Sequence, residues 1–164
     1  MRRFLAFPLV IALGLTSLAG AKKKPVVIVR FYAEVAENNG DVFGTPVPLL
    51  DGSGSIRVSK VATISEQDVV AFTPFQNADG SLGAYFYLDQ HGKLLLETLS
   101  MESRGKVIVA LVNGRHVADL LIDKRISDGI AVVPSGLTPQ DIDGMRKKFK
   151  LKEGANATSV PVRA

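Results

Sequence analysis

Two apolar runs separated by Asn113 and Gly114 are the feature that most restricts how this chain of 164 residues can fold. The first run is KVIVALV and the second is RHVADLLI. A two-residue Asn-Gly loop between such runs favours a type I′ turn, since that turn requires positive φ at both central positions. The segment therefore predicts a β-hairpin in which Asn113 and Gly114 are structural residues.

The hairpin also holds His116, one of only two histidines in the sequence. Regular alternation along a strand puts His116 on one face of the sheet and Asp119 on the other. We therefore expect no His–Asp pair within this strand, and we interpret His116 as a polar residue near the hairpin tip. The second histidine, His91, falls in the first turn of a predicted helix. A small periplasmic hydrolase that uses His91 or His116 with a carboxylate stays open as an alternative function.

The N-terminal segment MRRFLAFPLVIALGLTSLAGA has the three-part pattern of a secretory signal peptide. Two arginines precede an apolar run from Phe4 to Leu15, and small residues follow up to Ala21. The run is shorter than the roughly 18 to 20 apolar residues that span a bilayer. We therefore predict cleavage after Ala21, export to the periplasm or the extracellular space, and no transmembrane span in the mature chain.

Charge is unevenly distributed along the sequence. From Pro25 to Gly144 there are 9 Lys or Arg residues against 15 Asp or Glu residues. The excess of positive charge lies at the two ends, in Lys22–Lys24 and in the segment that begins at Arg146. A nucleic-acid-binding protein is expected to carry a basic face with stacking aromatic residues, so this distribution predicts no nucleic-acid partner. Basic ends favour weak contact with anionic membranes.

The sequence contains no motif that would bring catalytic or ligand-binding groups together. It has no cysteine, which excludes disulfides and thiolate metal ligands. It has neither a G-x-S-x-G nucleophile elbow nor an H-E-x-x-H metal motif. We therefore predict no catalytic residue, no metal ligand, no cofactor-binding residue and no cofactor.

The segment before residue 80 is predicted to contain two strands. KPVVIVRFYAEV is rich in β-branched and aromatic residues, and SIRVSKVATI alternates apolar with polar residues. Between them, VFGTPVPLLDGSGS predicts an irregular connector because of its prolines and glycines. Ser65 followed by Asp68 predicts a capped helical turn, and PFQNADGSLG predicts a loop.

After residue 80 the predicted order of elements is β-α-β-β-β-α. Asp89 is the predicted N-cap of a helix that ends before Gly105. Thr138 is the predicted N-cap of a second helix, with Pro139 at its first position. This order predicts an α+β fold, in which an antiparallel or mixed sheet has two or three helices packed on one face. Beyond Phe149 we expect a disordered tail.

A spaced set of residues runs through this second half, and it consists of Leu88, Gly92, Gly105, Lys106, Asn113, Gly114, Ile122, Ile126, Gly129, Gly136 and Thr138. The pattern resembles the head subdomain in the periplasmic region of SecD-type protein-export subunits. The resemblance covers about residues 65–145 if ISEQDVVAF corresponds to the preceding segment of that subdomain. The sequence is also similar to stand-alone secreted proteins in which a head-like module follows an export signal.

The resemblance implies a SecD head-like core and a surface that contacts unfolded or exported polypeptide. SecD-type subunits also have several membrane spans and a second periplasmic base domain, for which this sequence shows no counterpart. Their proton-driven motor role therefore does not follow. In that family the returning strand often continues with Ala-Pro, whereas here Asp119 follows Ala118.

These observations predict four segments and one function. The segments are a signal peptide over 1–21, N-terminal strands with a connector over 22–64, a SecD head-like α+β domain over 65–149, and a disordered tail over 150–164. The predicted function is that of an exported, non-catalytic domain that binds exported or envelope proteins.

Overall fold

The computed structural model describes residues 27–35 and 44–152. The predicted signal peptide and most of the predicted tail lie outside the described residues. Within them the chain forms nine strands and two helices. The strands are β1 Val29–Ala33, β2 Gly44–Pro48, β3 Ser55–Ser59, β4 Val69–Gln76, β5 Leu82–Leu88, β6 Val107–Val112, β7 Arg115–Leu121, β8 Ile130–Leu137 and β9 Lys150–Leu151. The helices are α1 Gln90–Glu102 and α2 Pro139–Lys148.

The described strands form three sheets, and the predicted α+β fold is confirmed. One sheet has the order β1-β6-β7, a second pairs β2 with β3, and the third has the order β8-β5-β4-β9. All pairs are antiparallel except β4 with β9, which is parallel. β7 is therefore one terminal strand of the three-stranded sheet, and β8 is one terminal strand of the four-stranded sheet.

One apolar core joins the two larger sheets and both helices. Phe31 of β1 and Phe86 of β5 meet edge to face with ring centroids 6.0 Å apart. Leu96 of α1 and Met145 of α2 are buried in the same cluster. Because Phe31 is 1% exposed, the N-terminal strand contributes to the core that the second half of the chain builds.

The predicted connector and the predicted loop both contain strands. β2 occupies part of the connector, and its prolines are tolerated because β2 pairs on one side only, with β3. β4 occupies the region predicted as a helical turn and a loop. Its Pro74 lies beyond the two residues that pair with β9, so the missing N–H leaves no gap in a ladder on that edge.

Three predicted boundaries also differ from the structure. The strand predicted over SIRVSKVATI ends at Ser59, and Ile64 instead forms an isolated bridge with Phe31. The helical turn predicted from Ser65 is a single turn, in which Asp68 N–H donates to the Ser65 carbonyl at 3.1 Å. Part of the predicted disordered tail is ordered, because Lys150 and its neighbour pair with β4.

Both helices begin at capped positions. The Asp89 side chain accepts a hydrogen bond from Gly92 N–H at 2.8 Å. At α2, Thr138 and Asp141 form a capping box, with Pro139 in the first turn. No helix within the described ranges is long and apolar enough to cross a membrane.

Candidate functional site

The expectation that His116 and Asp119 lie on opposite faces is wrong, because β7 contains a β-bulge. Ala110 of β6 pairs with Ala118 of β7, and the next residue of β6, Leu111, pairs with His116. Val117 is therefore an extra residue in β7, without a partner in β6. The extra residue resets the alternation of side chains. His116 Nε2 consequently lies 2.5 Å from Asp119 Oδ1.

The His116–Asp119 pair holds the hairpin of β2 and β3 against the three-stranded sheet. The second carboxylate oxygen, Asp119 Oδ2, accepts a hydrogen bond from Leu50 N–H at 2.7 Å. The His116 and Asp119 side chains are only 17% and 18% exposed. Both carboxylate oxygens of Asp119 are therefore engaged, one with His116 and the other with the hairpin tip.

The other histidine also pairs with a carboxylate. His91 Nδ1 lies 2.8 Å from Asp68 Oδ1, while Asp68 Oδ2 accepts hydrogen bonds from the Ser65 N–H and hydroxyl. Burial raises the pKa of Asp68, but the hydrogen bonds from Ser65 and His91 outweigh it and hold that pKa below its ordinary value. The Asp68 carboxylate thus ties the turn before β4 to the first turn of α1.

Asp68, Asp89 and His91 are the one set of potential metal ligands that converges in the described residues, with donor atoms within 4.8 Å of one another. Hydrogen bonds already engage an oxygen of each carboxylate, since Asp89 caps α1 and Asp68 binds Ser65. The positive end of a helix also disfavours a cation. We interpret the cluster as a structural clamp between the turn before β4 and the first turn of α1.

The described residues do not assemble a Ser-His-Asp hydrolase. Ser65 is connected to His91 only through Asp68, because the Ser65 hydroxyl donates to the Asp68 carboxylate at 3.1 Å and His91 contacts the other oxygen of that carboxylate. Within the described ranges no serine hydroxyl hydrogen-bonds to His91 or His116. A nucleophile must reach the imidazole nitrogen for general-base activation. Among residues 27–35 and 44–152, each histidine has an acidic partner but no serine hydroxyl beside it.

The residues of the spaced glycine and Asx pattern lie at turns and close approaches. Asn113 and Gly114 have φ of 52° and 79°, as a type I′ turn requires. A β-carbon at Gly92 would lie 2.8 Å from the Asp68 β-carbon, and one at Gly136 would lie 2.6 Å from the Val117 carbonyl oxygen. Two further glycines have positive φ, 83° at Gly105 and 74° at Gly129.

Asp141 joins the hairpin turn to α2. It is 4% exposed and accepts hydrogen bonds from Thr138, Asn113 and Arg115. Burial raises the pKa of Asp141, but the hydrogen bonds from Thr138 and Asn113 and the charge of Arg115 outweigh it, so that pKa lies below its ordinary value. No local sequence pattern indicates this network, since only the fold brings residue 113 to residue 141.

An apolar cleft of about 300 Å³ lies between β7 and β8. Residues 119–122 line one side and residues 130–132 line the other, with Leu96 of α1 and Ile126 of the connecting loop between them. Leu121 stands at the rim and is 65% exposed. A cleft with this lining accepts aliphatic or aromatic side chains.

The two strands that border the cleft meet at one end and separate at the other. Arg115 donates to the Gly136 carbonyl at 3.4 Å where they meet. Farther along, the Ile122 carbonyl accepts a hydrogen bond from the Gly105 N–H, and the Ile122 N–H donates to the Lys106 carbonyl. Backbone N–H and carbonyl groups of successive residues point to opposite edges of a strand, so those of Leu121 point away from β6. The cleft is thus flanked by two sheet edges. Unpaired backbone groups at a sheet edge can pair with an added strand.

The fold is similar to that of two solved structures of SecDF. The first, described as a membrane component that enhances protein export, matches with a TM-score of 0.52 and 13% identity over 76% of this chain and 63% of that chain. The second, SecDF in its super-membrane-facing form, matches with a TM-score of 0.52 and 13% identity over 76% of this chain and 19% of that chain. This chain therefore spans less than two thirds of either SecDF chain.

The search of family models found no match to the sequence, and the search of curated proteins also found none. At 13% identity the likeness to SecDF is one of fold. It confirms the SecD-like α+β architecture that the residue pattern implied.

Proposed function

We propose that this protein is an exported, non-catalytic domain that binds an extended segment of another polypeptide at the cleft between β7 and β8. The observation that carries the proposal is the cleft itself, which is apolar and lies between two terminal strands. An extended peptide can offer backbone groups to a sheet edge and, at the same time, insert every second side chain into a pocket. Polypeptide is the ligand class that matches both features.

The comparisons support the same function. SecDF is described as enhancing protein export, and a domain of similar fold is suited to contact exported or envelope proteins. The predicted signal peptide would deliver it to the compartment where such partners are found. We place the protein in the periplasm or the extracellular space on this basis.

The test measures how tightly the protein binds a fluorescein-labelled decapeptide of alternating Leu and Ser residues, with fluorescence anisotropy as the readout. Leu121→Asp puts a charge at the rim of the cleft and should weaken binding about tenfold or more. Leu94→Asp is the matched control, because Leu94 is 59% exposed but lies on α1 outside the cleft lining. That control should change the affinity less than about twofold.

A second peptide separates backbone pairing from apolar contact alone. N-methylation of alternate residues removes the N–H groups that would pair with a strand edge, and it should weaken binding about tenfold. Equal effects of the two leucine substitutions, or no saturable binding by the unsubstituted protein, would rule out the cleft as the binding site.

We also propose that neither histidine is catalytic. Esterase, peptidase and phosphatase substrates should show no turnover that depends on His91 or His116. Turnover that His91→Ala or His116→Ala abolishes, with unchanged circular dichroism, would favour the hydrolase alternative.

A further inference from the structure

The four-stranded sheet has two faces of different character. The face that joins the core carries buried residues such as Phe72, Phe86 and Val133. The opposite face, called here the outer sheet face, carries half-buried residues. Its members are Ala71, Thr73, Phe75, Tyr85, Tyr87, Ile130 and Val132.

Cross-strand pairing arranges the outer sheet face in two rows that run from β8 to β9. The rows are Ile130–Tyr87–Ala71–Lys150 and Val132–Tyr85–Thr73. The second row is extended by Lys152, which directly follows β9 and whose carbonyl accepts a hydrogen bond from the Thr73 hydroxyl. Each row therefore begins with an aliphatic side chain, places a tyrosine in the middle of the sheet and ends with a lysine at the edge. The ring of Phe75 extends the aromatic surface, with its centroid 4.8 Å from that of Tyr85.

The lysine edge continues a strongly basic segment. Five of the seven residues from Arg146 to Lys152 are basic, and none is acidic. Lys152 Nζ lies 4.0 Å from the ring centroid of Tyr87. Lys150 and Lys152 are both exposed, so their charges are available to an anionic partner beside the aromatic rings.

We propose that the outer sheet face docks on the anionic surface of a phospholipid bilayer. Tyrosine side chains are suited to the depth of lipid headgroups because each has an apolar ring and a polar hydroxyl, and adjacent lysines attract anionic lipid. A single-stranded nucleic acid also stacks on aromatic rings, but it needs cations along its whole path. Here the cations of the two rows lie only at the β9 edge, which favours a planar anionic surface over a strand laid across the sheet.

Tyrosine emission provides a local readout, since the chain has 3 tyrosines and no tryptophan. A Tyr32→Phe background leaves Tyr85 and Tyr87, which both lie on the outer sheet face. Vesicles of phosphatidylglycerol brominated near the headgroup should quench their emission at low salt. At about 1 M salt the quenching should be lost, because the Debye length falls to roughly 3 Å.

Charge substitutions on this background test the site. Lys150→Gln with Lys152→Gln should lower the partition coefficient about tenfold or more. Lys60→Gln with Lys124→Gln changes the net charge equally at two exposed positions elsewhere and should change partitioning less than about threefold. All variants keep the same N-terminal segment, so its own affinity for lipid cancels in the comparison.

Three results would overturn the proposal. The first is equal quenching by zwitterionic phosphatidylcholine vesicles, and the second is an equal effect of the two lysine pairs. The third is quenching by a single-stranded oligonucleotide, dependent on Lys150 and Lys152, without quenching by anionic vesicles. That third result would assign the face to nucleic acid.

Discussion

Gly114 and Gly136 have similar backbone conformations but different surroundings. Their φ values are 79° and 86°, which cost a residue with a side chain about 1–2 kcal/mol. A β-carbon at Gly114 would meet nothing within 4 Å, whereas one at Gly136 would lie 2.6 Å from the Val117 carbonyl oxygen. Glycine is thus required at one position by the turn alone and at the other by the turn and by contact between the two larger sheets.

We predict that Gly136→Ala destabilises the fold more than Gly114→Ala. Gly114→Ala should lower the free energy of unfolding by about 1 kcal/mol, and Gly136→Ala by about 2 kcal/mol or more. Urea unfolding at pH 7 measures both. Equal losses would mean that β7 and β8 can move apart at Val117 without cost.

Asp141 is the residue at which stability should depend most clearly on pH. Its folded-state pKa lies below its ordinary value, so its stabilisation is present above the unfolded-state pKa and is lost as the pH falls through the folded-state pKa. The free energy of unfolding should therefore fall from about pH 5 downward. Asp68 shifts in the same direction and adds to the effect.

Asp141→Asn should lower the free energy of unfolding at pH 7 by about 1–2 kcal/mol and flatten its decline below pH 5. Asp143→Asn is the matched control, because Asp143 lies on the same helix with a side chain that is 66% exposed. The control should keep the acid decline of the unsubstituted protein. Urea unfolding between pH 3 and pH 7 makes the comparison, and parallel curves for all three proteins would contradict the assigned role of Asp141.

At the scale of elements, the bulge in β7 couples the two-stranded sheet to the three-stranded sheet. Asp119 is on the same face as His116 only because of the extra residue Val117, and its second oxygen binds Leu50 at the hairpin tip. The hairpin of β2 and β3 is also joined to the end of β1, by the bridge of Glu34 with Val58 and by the Val35 N–H, which donates to the Arg57 carbonyl at 2.9 Å. These contacts lie away from the hairpin tip. Asp119 is therefore expected to govern the order of the tip.

Asp119→Ala should accelerate amide hydrogen exchange at Leu50 and in the adjoining turn about tenfold or more, while β4 and β5 keep their protection. Asp123→Ala provides the control, because Asp123 is exposed and follows the end of β7. Exchange followed by NMR resolves the separate amides. Unchanged exchange at Leu50 in Asp119→Ala would show that other contacts hold the tip.

Two of the strands that sequence patterns missed, β2 and β4, share a physical cause. β2 contains two prolines and β4 contains one, and proline ordinarily argues against a strand. Both strands form because their prolines lie toward a strand edge where no backbone hydrogen bond to another strand is made. The opposite edge of each strand pairs with β3 or with β5. Local propensity cannot reveal which edge of a strand stays unpaired, since that depends on distant residues.

At the scale of the whole molecule, the N-terminal pattern predicts processing. Expression of the full chain in a Gram-negative bacterium should yield a periplasmic product whose N-terminal sequence begins at Lys22. Leu13→Arg interrupts the apolar run and should leave the unprocessed chain in the cytoplasm. Thr16→Ser is a conservative control in the same segment. Recovery of the unsubstituted protein with its first 21 residues intact would contradict the signal-peptide prediction.

The sequence by itself determined the features whose chemistry is local. Asn113 with Gly114 favours the turn through its own backbone preferences, and Asp89 and Thr138 cap helices through side chains that reach residues three positions away. Alternating and helical apolar patterns then sufficed for the α+β class. Only the tertiary structure decided where β7 bulges, because the bulge depends on its pairing with β6. Only the tertiary structure left β7 and β8 as neighbouring sheet edges with an apolar cleft between them, since contacts between distant segments set the order of strands.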